Sequence, residues 1–234
     1  MARERLVQQT VDQLLDRIVD GDYEPGRPLP AQPVLATELN VSRLTVREAI
    51  ETLRSRRIVK VLHGSGTFVN PPEEWGDIDA ISRIVGKENA GEKMSQQVLE
   101  VRRMVEIGAA ELCAARRTDA DLEALDGYVR TMRDAHAEVD VDAFVTADIA
   151  FHAVILDGCG NPFLAVVYDP LMRVLRRTRT ETSSLAEIRE HAIAHHEAIA
   201  EAIRSGDAQR SGEAMRAHMQ QTGDDLGHYV HGAG

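Results

Sequence analysis

Residues 41–70 read VSRLTVREAIETLRSRRIVKVLHGSGTFVN, and a change of period within them decides the fold of the first third of the chain. Over the first half, Val46, Ala49, Ile50 and Leu53 recur at steps of three and four, which gathers them on one side of a helix. Ser42 stands at the N-cap position, where a hydroxyl accepts from a backbone N–H of the first turn. Over the second half, two β-branched runs flank Gly64, Ser65 and Gly66, the pattern of a hairpin.

Upstream, Leu6 or Val7, Val11, Leu14, Leu15 and Ile18 predict an amphipathic helix. It ends at GDYEPGRPLP, residues 21–30, where Gly21, Pro25, Gly26, Pro28 and Pro30 deny its continuation. A short helix through Val34, Leu35 and Leu39 follows and stops at Asn40. Three helices and a hairpin within residues 1–70 are the plan of a winged helix-turn-helix. Downstream, NPPEEWG (residues 70–76) reads as a linker, placed at 71–77. Residues 78–234 keep a helical period throughout, with helices expected near 78–86, 95–116, 119–138, 141–158, 162–179, 185–205 and 207–229. The expected starts are Ser95, Thr118 with Asp121, Asn161 before Pro162, and Ser184 with Glu187 as a capping box. The fold class is therefore mainly α: a winged helix-turn-helix joined to an all-helical antiparallel bundle.

The 234-residue chain carries a net charge of -11, unevenly spread. Residues 1–70 hold 10 Lys and Arg against 9 Asp and Glu, which leaves -12 on the remainder. Val41 to His63 hold six basic residues against two acidic ones. A small basic module on an acidic bulk implies two modules with different partners. No apolar run approaches the roughly 20 residues that span a bilayer, and MARERLVQQT lacks the apolar core of a signal peptide. A cytoplasmic protein without a membrane partner is expected, and Cys113 and Cys159 read as reduced thiols.

In a helix-turn-helix, the second helix of the pair enters the major groove of double-stranded DNA. Arg43 and Arg47 are four apart and share a face with Leu44, away from the apolar side. An arginine fork bonds guanine O6 and N7 together, at about 1–3 kcal/mol of discrimination per good pair. Ser42 and Thr45 are suited to phosphates. The bland alternative is a solvated helix on which Arg47 pairs with Glu48 or Glu51.

PGRPLP and LATELNVSRLTVREAIETLRSRRIVKVLHGSGTFV resemble the winged helix-turn-helix of the GntR family of bacterial transcriptional regulators, over residues 6–70. The resemblance implies DNA contacts from Arg43, Thr45 and Arg47 on the recognition helix and from His63 and Gly64 at the wing tip. Where the family usually has Pro-Ser-Glu-Arg, this chain has Pro30-Ala31-Gln32-Pro33. One family DNA contact is therefore replaced by Pro33, which a first helical turn accommodates.

Four ligand-type side chains fall on apolar helical stripes of the second module. Val141, Val145, Asp148, His152 and Ile155 form one stripe; Leu185, Ile188, Ala192, His196, Ile199 and Ile203 form another. His218 lies between Met215 and Met219 on a third, which continues to Thr222 and Leu226. A buried Asp148 requires a cation or strong donors. Three imidazoles and a carboxylate in a bundle core suit a divalent metal, Zn²⁺ first, with Ni²⁺, Fe²⁺ or Mn²⁺ as alternatives. His191 and His195 form a lesser pair, and His228 and His231 read as solvated tail residues.

LEVRRMVEIGAAELCAAR, DIAFH (148–152), HHEAIAEAI with the following Gly206-Asp207, and AMRAH ending at His218 are similar to the FCD domain of the FadR subfamily, over roughly residues 95–220. That resemblance implies a metal held by Asp148, His152, His196 and His218, and a small carboxylate effector such as a hydroxy acid, sugar acid or dicarboxylate. Arg102 matches a family arginine near the site, and Glu106 one turn on is suited to hold it. The expected function is a homodimeric transcription factor, a repressor, that reads a pseudo-palindromic operator and responds to the acid. The alternatives are a purely structural or sensed metal, or a metal-dependent enzyme. No enzyme is expected, because no general base accompanies the four ligands.

Overall fold

The computed structural model describes residues 2–88 and 92–230, and the chain divides into two compact units, Met1–Glu88 and Asn89–Gly234. The first unit runs α1 (Ala2–Asp20), α2 (Gln32–Glu38), α3 (Arg43–Ser55), β1 (Val59–Leu62), β2 (Gly66–Val69), a 3₁₀ turn (Pro72–Glu74) and α4 (Ile78–Glu88). Its core is the set the periodicity selects: Val11, Leu14, Leu15 and Ile18 from α1 against Leu35 of α2 and Val46, Ala49, Ile50 and Leu53 of α3. Ser42 caps α3, its Oγ accepting from Thr45 N at 3.0 Å. Pro33 sits in the first turn of α2, where its missing N–H leaves no bond unmade.

The wing pairs β1 with β2 antiparallel, Val59 opposite Val69 and Leu62 opposite Gly66. Gly64 (φ +77°) and Gly66 (φ +119°) turn the tip through backbone conformations that other residues rarely adopt. The proline-rich loop lies along the outer side of β2: Leu29 N donates to Thr67 O at 2.7 Å and Gly26 N to Val69 O at 2.9 Å. Pro28 and Pro30 are tolerated there because an edge has spare carbonyls and needs fewer donors.

The expected linker is built differently. Residues 71–77 contain the 3₁₀ turn (Pro72–Glu74) and bury Trp75, which is 4% exposed and donates from Nε1 to Asn70 O at 2.9 Å. Helix α4, expected to open the second module, packs with the first: Ala80 joins the same core. Arg83 reaches Asp12 at 2.8 Å and Asp16 at 2.6 Å, and Lys87 reaches Asp20 at 2.7 Å. Exposed pairs of this kind contribute about 0–1 kcal/mol each, so the burial of Trp75 and Ala80 carries the attachment.

The second unit consists of α5 (Glu92–Arg116), α6 (Asp119–Glu138), α7 (Val141–Gly158), α8 (Pro162–Thr182), α9 (Ala186–Ser205), α10 (Ala208–Asp225) and a closing π turn (Leu226–Val230). Its core draws Ala110 and Cys113 from α5, Leu125 and Met132 from α6, Phe144, Phe151 and Ile155 from α7, Ile199 and Ile203 from α9, and Met215 and Met219 from α10. Cys113 and Cys159 are buried free thiols. Thr118 and Asp121 form the expected capping box, and Asn161 caps α8 ahead of Pro162. Two expected starts differ. Ser95 lies inside α5, and α9 begins after Leu185, which has no side-chain acceptor to offer as a cap. The turn before α9 is held by Arg189, buried, whose Nη1 donates to Ser183 O at 2.7 Å and Ser184 O at 3.1 Å. No helix among the described residues is long and apolar enough to cross a membrane.

Candidate functional site

On the first unit, the outer side of α3 presents Ser42, Arg43 and Arg47 to solvent, with Leu44 between the arginines 40% exposed. The local pairs that would occupy Arg47 are not made: Glu48 takes Arg3 and Glu51 takes Arg54. Among the described residues, no ion pair engages Arg43 or Arg47, so both guanidiniums are available to an external anion. His63 and Gly64 are exposed at the wing tip. Thr45 is turned inward, 5% exposed, its hydroxyl 2.8 Å from Ser42 Oγ. It braces the start of the helix while the arginines face outward.

On the second unit, Asp148 and His152 of α7, His196 of α9 and His218 of α10 converge as their stripes require. All four are at most 7% exposed. The ligand nitrogens of His152, His196 and His218 lie within 4.8 Å of one another. His196 Nε2 is 3.2 Å from His152 Nε2 and 3.0 Å from Asp148 Oδ1, and His152 Nε2 is 3.8 Å from that same oxygen.

The far side of each ring decides which atoms carry protons. His196 Nδ1 is 2.5 Å from the carbonyl of Ala192, and His152 Nδ1 is 2.5 Å from Glu106 Oε2, an approach too bent for a regular hydrogen bond. A proton on Nδ1 of each of these two rings relieves that approach. Both Nε2 atoms are then unprotonated in the neutral rings, and they face each other and a carboxylate oxygen. Three lone pairs converging in a buried space repel one another unless a cation lies among them. The donor set thus fits a divalent ion. The carbonyl behind His196 and the carboxylate behind His152 are the kind of partner that orients metal-binding histidines.

Around the ligands stands a buried charged ring. Arg102 Nε donates to Glu106 Oε1 at 2.7 Å, and its Nη2 lies 3.4 Å from His152 Nε2. Tyr168 donates to the same Glu106 oxygen, and Arg179 donates from Nη1 to Asp148 Oδ2, which leaves Oδ1 turned to the histidines. Arg179 and Tyr168 join the ligand cluster without having been singled out from the sequence. Their signal is the α8 stripe Tyr168, Leu171, Leu175, Arg179, at steps of three, four and four, all buried. Two adjoining cavities share Thr182, Thr222 and Leu226 in their walls. One is bordered by Arg102 and Arg179, the other by His195 and His218. His191 pairs with Asp225 at 3.0 Å. His228 is exposed, and His231 lies outside the described residues.

Burial alone would raise the Glu106 and Asp148 carboxyls, but Arg102 beside the first and Arg179 beside the second hold both well below the usual carboxylate range. Burial pushes His152 down to about 4 despite Glu106, and burial with the neighbouring His196 and His152 pushes His218 well below 6.5. Depressed histidines bind protons in the unfolded chain before the folded one. Stability of the chelated protein is therefore expected to be full above pH 6.5 and to fall as pH drops toward 4, where the carboxylates add to the loss. Urea midpoints for the second unit at pH 7.5, 5.5 and 4.5 measure this, and a midpoint that rises on acidification would contradict it.

Residues 6–69 match the family model "Bacterial regulatory proteins, gntR family", and residues 97–221 match that of the FCD domain. The HTH-type transcriptional regulator LutR of Bacillus subtilis (strain 168) is 31% identical over 91% of this chain and 97% of its own. The galactonate operon transcriptional repressor of Escherichia coli (strain K12) is 30% identical over 82% of this chain and 83% of its own. A solved structure of Lar, which controls expression of the Listeria monocytogenes agr system, aligns with a TM-score of 0.64 and 20% identity, covering 95% of this chain and 97% of that one. That last likeness bears on the fold alone.

Proposed function

Since the chain belongs to the GntR family of bacterial transcriptional regulators and carries an FCD domain, and such regulators bind DNA operators, we propose that it is a repressor whose operator affinity is set by a small carboxylate metabolite bound at a metal centre. The observation that carries this reading is the convergence of the His152 and His196 Nε2 atoms on Asp148 Oδ1, with a guanidinium at 3.4 Å from His152 Nε2. Asp148, His152, His196 and His218 would hold the ion, zinc first among the divalent candidates. When bound, it supplies a Lewis acid to which an effector carboxylate can be anchored. Arg102 donates toward the same space, held there by Glu106, and suits a carboxylate through two parallel bonds. Two relatives carry acid-related names, the galactonate operon repressor and a putative L-lactate dehydrogenase operon regulatory protein at 27% identity. Those names favour an acid effector for this chain too.

DNA recognition is assigned to Ser42, Arg43 and Arg47 on α3 with His63 and Gly64 on the wing, and Thr45 acts by fixing the start of α3. A pseudo-palindromic operator read by a homodimer suits a module this small, because two-fold proteins read two-fold sites. The outer face of α5 supports a second copy as partner. Val101, Met104 and Leu112 are exposed there, Met104 at 80%.

The test is an operator selected from random duplexes, titrated with protein as purified, after chelation, and after reloading with Zn²⁺, each with and without a panel of carboxylates. The expected result is that an acid weakens binding about tenfold or more only in the metal-loaded protein, the usual size of such coupling. If chelation alone changes affinity and no acid does, the metal itself is the signal. If neither does, the metal is structural and the proposal fails.

A further inference from the structure

We infer that the effector is a dianion, and that Arg179 is the residue that receives its second anionic group. This rests on the metal-and-carboxylate reading above. Arg179 enters the site from α8, with its side chain 8% exposed, and only one end of its fork is used: Nη1 donates to Asp148. Nη2 is buried and has no hydrogen-bond partner. A guanidinium N–H enclosed without an acceptor is costly, and among the described residues none bonds it. Arg179 borders the same cavity as Arg102, whose other walls mix the apolar Val98, Leu99 and Leu175 with the hydroxyl residues Ser95, Thr182 and Thr222. Two guanidiniums thus border one cavity, walled between them by apolar side chains and hydroxyls.

Charge balance points the same way. Among the described residues around the ligands, Arg102 and Arg179 balance Glu106 and Asp148, and the three imidazoles bind a metal as neutral groups. A divalent ion adds two positive charges that no carboxylate touching the ligands offsets. Asp225, on the wall of the adjoining cavity, lies two helical turns beyond His218 and pairs with His191 instead. A monocarboxylate leaves the buried site cationic, and a small acid with two carboxylates neutralises it. One carboxylate goes to the metal side with Arg102, and the other takes the free end of Arg179.

The experiment uses the full chain loaded with Zn²⁺ and acid pairs in which a methyl group replaces the second carboxylate: succinate against butyrate, malate against 2-hydroxybutyrate, glutarate against pentanoate. Calorimetric affinities are measured for the native chain and for Arg179→Gln, with metal content recorded for both. In at least one pair the diacid is expected to bind about tenfold tighter or more, the size of one charge-assisted hydrogen bond. In Arg179→Gln that ratio should collapse toward one while the metal is retained. Equal binding of both members of every pair overturns the inference and leaves the carboxylate reading standing, as does a ratio that survives Arg179→Gln. Should Arg179→Gln lose the metal, Arg179→Lys replaces it, retaining a cation for Asp148 without the second arm, and the same collapse is required. Absence of binding by every acid overturns both readings together.

Discussion

Arg47→Ala is expected to abolish specific operator binding while leaving the fold and metal content unchanged. Arg47 is exposed on α3 with no ion pair among the described residues, so its removal leaves no buried group unsatisfied. A bidentate arginine–guanine contact is worth about 1–3 kcal/mol per half-site, and two half-sites roughly double it, for a loss of about 30-fold to 10⁴-fold. With Pro33 where a family arginine is expected, a larger share of the recognition is expected of α3, which favours the upper part of that range. Fluorescence anisotropy against the selected operator measures the loss, and circular dichroism checks the fold. Undiminished affinity would remove Arg47 from the interface. A loss equal on all sequences would make it a phosphate contact instead.

Glu106→Ala is the second large effect. Glu106 is 1% exposed, accepts from Arg102 and Tyr168, and lies 2.5 Å from His152 Nδ1. Its loss strands a buried guanidinium, and breaking a buried pair from one side costs about 3–5 kcal/mol. For a domain of this size that lowers Tm by roughly 10 °C. Thermal unfolding of the second unit in chelator measures it. Removing Arg102 as well should recover much of the loss, since the stranded charge goes with it. A single variant as stable as the native chain would show that the ring of contacts contributes nothing.

These two residues also mark what a sequence can and cannot disclose here. Asp148, His152, His196 and His218 were legible because each is a polar residue occupying an apolar step of a helix, and the period alone turns it inward. Arg47 was legible by the opposite signal, a charge on the polar face of a capped helix beside a hairpin. Arg179 was hidden in the basic run RRTRT, where an arginine ordinarily faces water. The stripe from Tyr168 through Leu175 turns this one inward, and Asp148 supplies the partner that burial requires. The same reason explains the missed start of α9. Ser184 and Glu187 have the spacing of a capping box, but the turn is held by Arg189, and such a long-range partner leaves no local pattern. Likewise Pro71, Pro72 and Gly76 spell a linker, and the indole of Trp75 between them overrides that spelling by burial.

That indole redraws the modular joint of the protein. The DNA-binding half is a cassette of 88 residues, closed by its own last helix, rather than one of 70. Cutting at residue 70 would pull Trp75 and Ala80 from the core and leave Asp12, Asp16 and Asp20 on α1 without their basic partners. Anyone grafting this reader of DNA onto a different sensor should therefore splice after α4, and a sensor that acts on its reader by pulling does so on a helix already fastened to α1.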